Sequence, residues 1–290
     1  MSRLHEIQLH AASVTSTKKV TRAMYLISAS KSQKAKAQLA GTLPYFQQIT
    51  STMSEILAAT GTLDTIYFGG GAASQNKGSL YLVLGSDKGM AGGYTHNIVA
   101  YLDDYADKAK DLLMVIGTQG RVVMAREGYR LESDFIYPIM NPSVNRAREI
   151  AEKVVEKYLT GEFKEVHMVF TEMISPIKQT PTMVKLLPLA PASFGADTVE
   201  STPSEYHIIK YEPSARDVFD YLVPHYLKGM IYSALVEAFT SEQHARMFAM
   251  DNATRSADDM ISRLMLQYNR ERQSQITQEL TEVIGGIPND

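Results

Sequence analysis

The feature that most constrains this chain is a long stretch near its C-terminal end without glycine or proline. It runs from Met230 to Ile284, 55 residues, and would form about 80 Å of helix. That is several times the length of a typical globular helix. Because helices in proteins are stabilised mainly by burial of one face, this length predicts a second element packed along its side.

The N-terminal end predicts a second long helix. Residues 1–40 also lack glycine and proline, and their apolar residues recur at the three- and four-residue spacing of one helix face. The predicted apolar stripe comprises Leu4, Ile7, Ala11 and Val14 and then, shifted by a residue or two, Val20, Met24 and Ile27. Gly41 and Pro44 predict a kink, and Gly61 is a plausible helix stop.

The C-terminal helix carries a face of small residues on which a partner helix could approach closely. Its predicted line is Ala238, Ala245, Ala249, Ala253, Ala257, Met260 and Leu264. Bulkier residues would be expected in an ordinary helical bundle. We therefore expect the two terminal helices to pair closely.

Between the terminal helices the pattern changes to short apolar runs, typical of buried parallel strands. The predicted strands are Leu80–Leu84, Leu112–Ile116 and Val166–Thr171, with edge strands at Met183–Leu189 and His207–Tyr211. Predicted helices lie at Thr95–Lys110, Gln119–Glu127 and Val144–Leu159. Alternating strands and helices favour βαβ units and a mostly parallel sheet. Glycine- and serine-rich segments at 69–78 and 191–203 resemble linkers.

These patterns predict an α/β chain in which the N- and C-terminal helices form a long antiparallel coiled coil with an inserted Rossmann-like α/β domain. We divide it into an N-terminal shaft helix at 1–60, an α/β head domain at 75–212 and a C-terminal shaft helix at 213–290. The helices must run antiparallel because a closed domain returns both chain ends to one side.

Charge is distributed unevenly, although the net charge is only −3. Residues 1–40 carry seven Lys and Arg against one acid, and residues 230–290 carry nine acids against five arginines. The basic run from Lys18 to Lys36 is either a solvated helix face or a track for an acidic protein surface. Nucleic acid is disfavoured, because the acidic helix would lie alongside.

The composition excludes several kinds of chemistry. There is no cysteine, which removes disulfides and thiolate sites and fits a reducing compartment. The seven histidines form no metal-binding spacing, and no apolar stretch is long enough for a membrane span. The N-terminus lacks the apolar core of a signal peptide. We expect no catalytic residue, metal or cofactor.

One loop invites a nucleotide-binding interpretation. Gly85–Gly93, reading GSDKGMAGG, follows a strand and precedes a helix, the position of phosphate-binding loops. It matches neither G-x-G-x-x-G nor G-x-x-x-x-G-K-[ST], so a tight turn that packs against its neighbour is favoured.

Three stretches carry a resemblance to a known family. Ala12–Lys31 resembles the N-terminal shaft helix of the gamma subunits of F-type ATP synthases. Ser86–Asn97 resembles their S-D-[KR]-G-L-x-G-G-[YF]-N loop. Phe248–Gly286, with MDNATR at 250–255, resembles their C-terminal signature. The resemblance covers nearly the whole chain and implies the central rotor shaft of a bacterial enzyme.

The resemblance also implies partners and contact residues. The shaft would stand inside a hexamer of alpha and beta subunits. The head would meet the epsilon subunit and the membrane ring of c subunits, as a peripheral protein on the cytoplasmic face of the plasma membrane. Proton or sodium flow would turn the ring, and the chemistry would belong to beta. The residues matching the contact to the beta catch loop are Arg272, Gln273, Thr277 and Glu279. Those matching the contact to the acidic beta hinge region are Lys18, Lys19, Arg22 and Met24.

Two other hypotheses remain open from the residues alone. The first is a standalone nucleotide-binding enzyme that uses Asp87–Gly93, with the helices as a dimerisation arm. The second is a coiled-coil scaffold without motor function. ATP titration of the isolated chain tests the first, and co-purification with alpha and beta subunits tests the second.

Overall fold

The computed structural model describes residues 3–61, 63–68, 77–175, 178–194 and 211–285. The predicted strand at His207–Tyr211 lies outside this part of the chain apart from its last residue. So do most of the two predicted linkers and the apolar tip at Ile287. The chain divides into two compact units. The helical unit comprises Met1–Ser30 with Arg246–Asp290, and the α/β unit comprises Lys31–Ala245.

The two predicted long helices are present. Helix α1 spans Arg3–Thr60, and the helical assignment continues through Gly41 and Pro44. It stops where predicted, because Gly61 has a left-handed φ of 73° and its N–H donates to the Leu57 carbonyl at 2.8 Å. A glycine adopts that conformation without a steric penalty.

Helix α5 spans Ala215–Gly285, 71 residues, and so begins well before the run that lacks glycine and proline. Ser214 caps its start, since the hydroxyl accepts the N–H of Asp217 at 3.1 Å and donates to its carboxylate at 2.6 Å. A serine at this position satisfies a backbone donor that the helix leaves free. Pro224 is accommodated inside the helix.

The α/β unit is built on a four-stranded sheet. Its strands are β1 at Leu80–Leu84, β2 at Leu112–Ile116, β3 at Val166–Met173 and β4 at Gln179–Leu187. The order is β2-β1-β3-β4, and the first three strands are parallel while β4 is antiparallel to β3. The mostly parallel sheet and the edge strand near Met183–Leu189 are thus confirmed, with β4 starting earlier than predicted.

Helices cover both faces of the sheet. Helices α2 at Tyr94–Asp103 and α3 at Thr118–Arg126 bury residues with one face. Helix α4 at Val144–Leu159, together with Lys31–Thr60 of α1 and Ala215–Phe239 of α5, packs on the other. The parallel connections through helices on opposite faces are those of a doubly wound sheet.

Helix α2 ends earlier than the predicted Lys110. The Asp111 carboxylate accepts the backbone N–H of Asp107 at 2.7 Å and that of Ser79 at 2.7 Å. These bonds fold residues 104–111 into turns that lead into β2. An aspartate that binds nearby backbone in this way competes with helix formation, which apolar spacing does not reveal.

In the helical unit, four side-chain contacts join α1 to α5. Arg3 contacts Glu271 at 3.8 Å, Gln8 contacts Tyr268 at 3.1 Å, Lys18 forms an ion pair with Asp258, and the Thr21 and Thr254 hydroxyls are 2.8 Å apart. Residue numbers rise along one helix as they fall along the other, so the two segments run in opposite directions.

Burial in the helical unit corrects the predicted stripes. The covered positions of α1 follow three- and four-residue steps: Leu4, Ile7, Ala11, Val14, Lys18, Thr21, Tyr25 and Ser28. Those of α5 are Met250, Thr254, Ala257, Ile261, Leu264, Tyr268 and Glu271. The predicted continuation through Val20 and Ile27 is wrong, since these side chains are 58% and 54% exposed.

The predicted alanine line of α5 is also only partly right. Ala257 and Leu264 are buried, but Met260 is 45% exposed, and Ala249 and Ala253 are half-buried. Steps of four residues drift by about 40° each around a helix of 3.6 residues per turn. A straight contact line therefore needs alternating steps of three and four.

Close packing at Gly229 yields a stability prediction. A Cβ built there would lie 2.6 Å from Phe46 Cδ1 and 2.8 Å from Phe46 Cγ, too close to the stem of a buried ring to be relieved by a rotamer change. We expect Gly229→Ala to destabilise the chain by about 1–3 kcal/mol, although alanine is the better helix former. Chemical denaturation followed by circular dichroism measures this.

Gly41→Ala is the matched control for that substitution. It lies in the other long helix and has no atom within 4 Å of the added methyl, so a gain of about 0.5–1 kcal/mol is expected from helix propensity. Equal effects at the two glycines would show that the contact with Phe46 is not tight.

The buried position Ala257 gives a second prediction. Ala257 is 7% exposed, and we expect Ala257→Leu to overpack the pair of helices and cost about 1–3 kcal/mol. The neighbouring Ser256 is exposed, so Ser256→Leu is expected to be nearly neutral. Thermal unfolding of the two variants compares them. Equal shifts would count against close packing at Ala257.

Candidate functional site

The loop singled out from the sequence lies at the carboxyl end of β1. A Cβ on Gly85 would lie 3.0 Å from Gly120 Cα, and one on Gly117 would lie 2.6 Å from the Ser86 carbonyl oxygen. Gly117 also has a φ of 97°, which side chains rarely tolerate. The glycines thus allow the turn after β1 to touch the turn after β2.

Asp87 fastens this loop to the rest of the α/β unit. One carboxylate oxygen accepts the Thr118 N–H at 3.2 Å, and the other accepts the Met140 N–H at 2.8 Å. The Thr118 hydroxyl donates to the Asp87 carbonyl at 3.0 Å. The loop carboxylate therefore holds three connections together, which agrees with the predicted tight turn that packs against its neighbour.

The loop nevertheless presents an apolar tip. Met90 is well exposed and has a φ of 63°, an uncommon conformation for a side chain of its size. The sequence marks this segment only by its glycines. The exposure of Met90 depends on the loop conformation and is not predicted by the sequence pattern.

The predicted contact residues on α1 divide into two kinds. Lys18 is used within the chain, in its ion pair with Asp258. Lys19 and Arg22 are exposed, the Arg22 guanidinium lying 5.2 Å from the centre of the Tyr25 ring, while Met24 is half-buried. Two cations of the predicted set are therefore accessible and one is already engaged.

The predicted contact residues near the end of α5 all lie on the surface. Arg272, Gln273, Thr277 and Glu279 are exposed, and the Thr277 hydroxyl donates to the Gln273 carbonyl at 2.8 Å. At 100° per residue, Arg272 and Glu279 lie within about 20° of each other, and Gln273 and Thr277 form a neighbouring line.

Two apolar residues missed by the sequence analysis lie among these polar ones. Ile276 and Leu280 are both exposed, beside Arg272 and Gln273 respectively on the helix surface. Their position off the buried line was the available signal, since the paired helix does not cover an apolar side chain on the polar face. The end of α5 thus combines charged, amide and aliphatic groups on one accessible surface.

The histidines have structural surroundings. His167 lies 3.0 Å from a Glu165 oxygen and stacks on Tyr81. Burial lowers the pKa of His244, with a further lowering by Lys36 and an opposing effect of Glu237. Within the described ranges, no three His, Asp or Glu side chains come together as a metal site. His207 lies outside those ranges.

Among the helices that the structure describes, none combines the length and apolarity needed to cross a bilayer.

The architecture defines a class of proteins in which two long terminal helices flank a doubly wound α/β unit. Two solved chains share it. A chain from the Tetrahymena thermophila mitochondrial ATP synthase, central stalk and c-ring, aligns with a TM-score of 0.54 and 20% identity, over 81% of this chain and 99% of that one. A chain from the Euglena gracilis mitochondrial enzyme aligns with a TM-score of 0.53 and 19% identity, over 93% of each. At this identity the likeness concerns the fold.

Sequence relatives are far more similar. A family model described as ATP synthase matches residues 3–288. The ATP synthase gamma chain of Ruminiclostridium cellulolyticum is 42% identical over 287 residues, 98% of each chain. That of Acetivibrio thermocellus is 42% identical over 291 residues, 99% of this chain and 98% of the relative. The chain belongs to the ATP synthase gamma chain family.

Asp87 supports a prediction about the loop. Asp87→Ala removes the acceptor of two backbone N–H groups, and we expect a loss of about 1–3 kcal/mol in the free energy of unfolding. Urea denaturation measures it. Asp134→Ala is the control, because only the backbone carbonyl of that exposed residue accepts a hydrogen bond from the described residues. Equal stability of the two variants would contradict the role assigned to Asp87.

Proposed function

We propose that this chain is the central rotor shaft of an F-type ATP synthase. It would couple ion-driven rotation of the membrane ring to ATP synthesis or hydrolysis at the beta subunits. The observation that carries the proposal is the 42% identity to bacterial gamma chains across 98% of both sequences. At this similarity the whole length, including both terminal helices and the α/β unit, is shared with the relatives.

We infer that the two terminal helices form an antiparallel coiled coil. The inference is supported by buried positions at steps of three and four along both helices, and by the four contacts that pair early residues of α1 with late residues of α5. The domain division at 1–60, 75–212 and 213–290, with a Rossmann-like head, belongs to the same proposal.

A non-catalytic role follows from how the loop is used. The Asp87 carboxylate, the group that a nucleotide-binding enzyme would most need in this loop, is bound to two backbone N–H groups of the chain. The chain would contribute shape and contact rather than reacting groups. Catalysis would take place on the beta subunits.

The proposed partner of the helical unit is a hexamer of alpha and beta subunits. Apolar side chains lie exposed along both helices, at Leu9, Val20, Leu26 and Ile27 of α1 and at Phe248, Met260, Met265 and Leu266 of α5. Such exposure on a helix is costly unless a surrounding protein covers it. Lys19 and Arg22 lie next to the first group, where they would face the acidic hinge region of beta.

The α/β unit would bind the epsilon subunit and the ring of c subunits. This arrangement makes the chain a peripheral membrane protein at the cytoplasmic face of the bacterial plasma membrane, held there by its partners. It takes part in ion transport only through rotation.

We propose that the end of α5 is the part gripped by the beta catch loop. The Arg272 guanidinium is exposed and suited to a charge-assisted bond with a carboxylate. Gln273, Thr277 and Glu279 add further donors and acceptors, and the exposed Ile276 and Leu280 add apolar area between them. A rotor transmits force only where its side chains are held while the partner changes shape.

The double substitution Arg272→Ala and Gln273→Ala tests this contact. We expect assembly with alpha and beta to remain intact, because both substituted side chains are exposed and contribute little to the fold. Rotor-driven turnover should fall several-fold, since each bond to a charged group contributes roughly 1.5–3 kcal/mol. ATP synthesis by the reconstituted complex is the measurement.

The control is the same pair of residue types further back on the helix. Arg263 and Gln267 are also exposed, and Arg263→Ala with Gln267→Ala is expected to leave turnover unchanged. Normal synthesis in the Arg272 and Gln273 variant, with normal assembly, would show that these residues do not carry the coupling. Failure of the unsubstituted chain to assemble with alpha and beta would overturn the proposed function itself.

A further inference from the structure

One face of α5 inside the α/β unit carries aromatic and basic residues that the rotor function does not use. Tyr221, His225 and Lys228 are spaced by four and three residues and so lie on one side of the helix. The rings of Tyr221 and His225 are 5.1 Å apart, and Tyr221 is 69% exposed.

Two other helices extend this face. From α1, Tyr45 lies beneath the Lys228 ammonium, 5.5 Å from Nζ to the ring centre, and is 53% exposed. From α4, Arg148 lies near enough for its charge to act on Lys228. We call Tyr45, Arg148, Tyr221, His225 and Lys228 the Lys228 patch.

The patch has more positive charge than its surroundings neutralise. Burial, and secondly the charge of Arg148, lower the pKa of Lys228. Among the described residues, no carboxylate lies within 4 Å of its ammonium group. Arg148 has only a 3.7 Å contact with Glu152, on the surface. The nearby Asp220 is bound by Thr65 and by Arg216. Two neighbouring cations thus lack a counter-ion that an external anion could supply.

We propose that the Lys228 patch docks on the phosphate headgroups of anionic phospholipids. A headgroup phosphate between Lys228 and Arg148 would relieve their mutual repulsion. The two exposed tyrosines suit the same surface, because their rings are apolar while their hydroxyl tips remain in the headgroup region. An acidic protein surface would satisfy the cations but would make less use of the tyrosine rings.

The inference rests on the proposed function, which places the α/β unit beside a membrane ring. Docking at the headgroups would add a direct, salt-sensitive attraction to the attachment through partner subunits. Each basic residue near an anionic surface contributes about a fivefold factor to binding. The two cations together would therefore contribute roughly twenty- to thirtyfold.

Vesicle flotation with the full-length chain tests the docking surface. The probes are vesicles of phosphatidylglycerol mixed with phosphatidylcholine, vesicles of phosphatidylcholine alone, and inorganic phosphate in solution. We expect binding only to the mixed vesicles, weakening as salt is raised. Arg148→Gln with Lys228→Gln should reduce that binding roughly twenty- to thirtyfold without lowering the thermal midpoint, because removing a repelled cation does not weaken the fold.

Arg130→Gln with Lys153→Gln is the matched control. It removes the same net charge from the α/β unit, and Lys153 also lies over a tyrosine ring, 5.4 Å from that of Tyr137. It should bind vesicles like the unsubstituted chain.

Three results would overturn the proposal. They are an equal loss in the control, binding that is independent of phosphatidylglycerol, and a response to inorganic phosphate without any vesicle binding. None of them bears on assembly with alpha and beta, so this inference and the rotor function can fail separately.

Discussion

Long helices are stable in water only where one side is covered, and this requirement organises the whole chain. Helices α1 and α5 contain 58 and 71 residues, and helices in proteins are held by packing of one face more than by propensity. The two compact units meet the requirement differently. In the α/β unit both helices contribute to a large core around Phe46, Phe219 and Leu227. In the helical unit only a narrow line of side chains is covered, many of them small or polar.

The narrow line explains the unusual surface of the helical unit. Its covered positions include Lys18, Thr21 and Ser28 on α1, while aliphatic residues such as Val20 and Ile27 point outward. A pair of helices built for stability alone would reverse this arrangement. Apolar side chains turned away from the partner helix are consistent with a shaft that a surrounding protein encloses.

The α/β unit combines rigidity with accessible contact groups. Asp87 ties the loop after β1 to two further connections, and the close contact of Gly85 and Gly120 leaves little room for a ligand between the first two turns. The same unit displays Met90 and the Lys228 patch at its surface. Its secondary structure therefore serves as a platform, and the groups available to partners lie on loops and outer helix faces.

The sequence by itself determined the long helices, the order of the strands and helices, and the family. Absence of glycine and proline is a local property, and apolar runs such as Leu80–Leu84 and Val144–Leu159 are bounded by local signals, so these were readable. Tertiary structure decided which side of each helix is covered. Apolarity alone placed Val20 and Met260 on the contact lines, yet the partner's position left both exposed and covered Thr21 and Thr254, which bond to each other. The roles of Asp87 and of Lys228 with Arg148 depend on residues distant in sequence that only folding brings together, because hydrogen bonds and charge repulsion act over a few ångströms of space rather than along the chain.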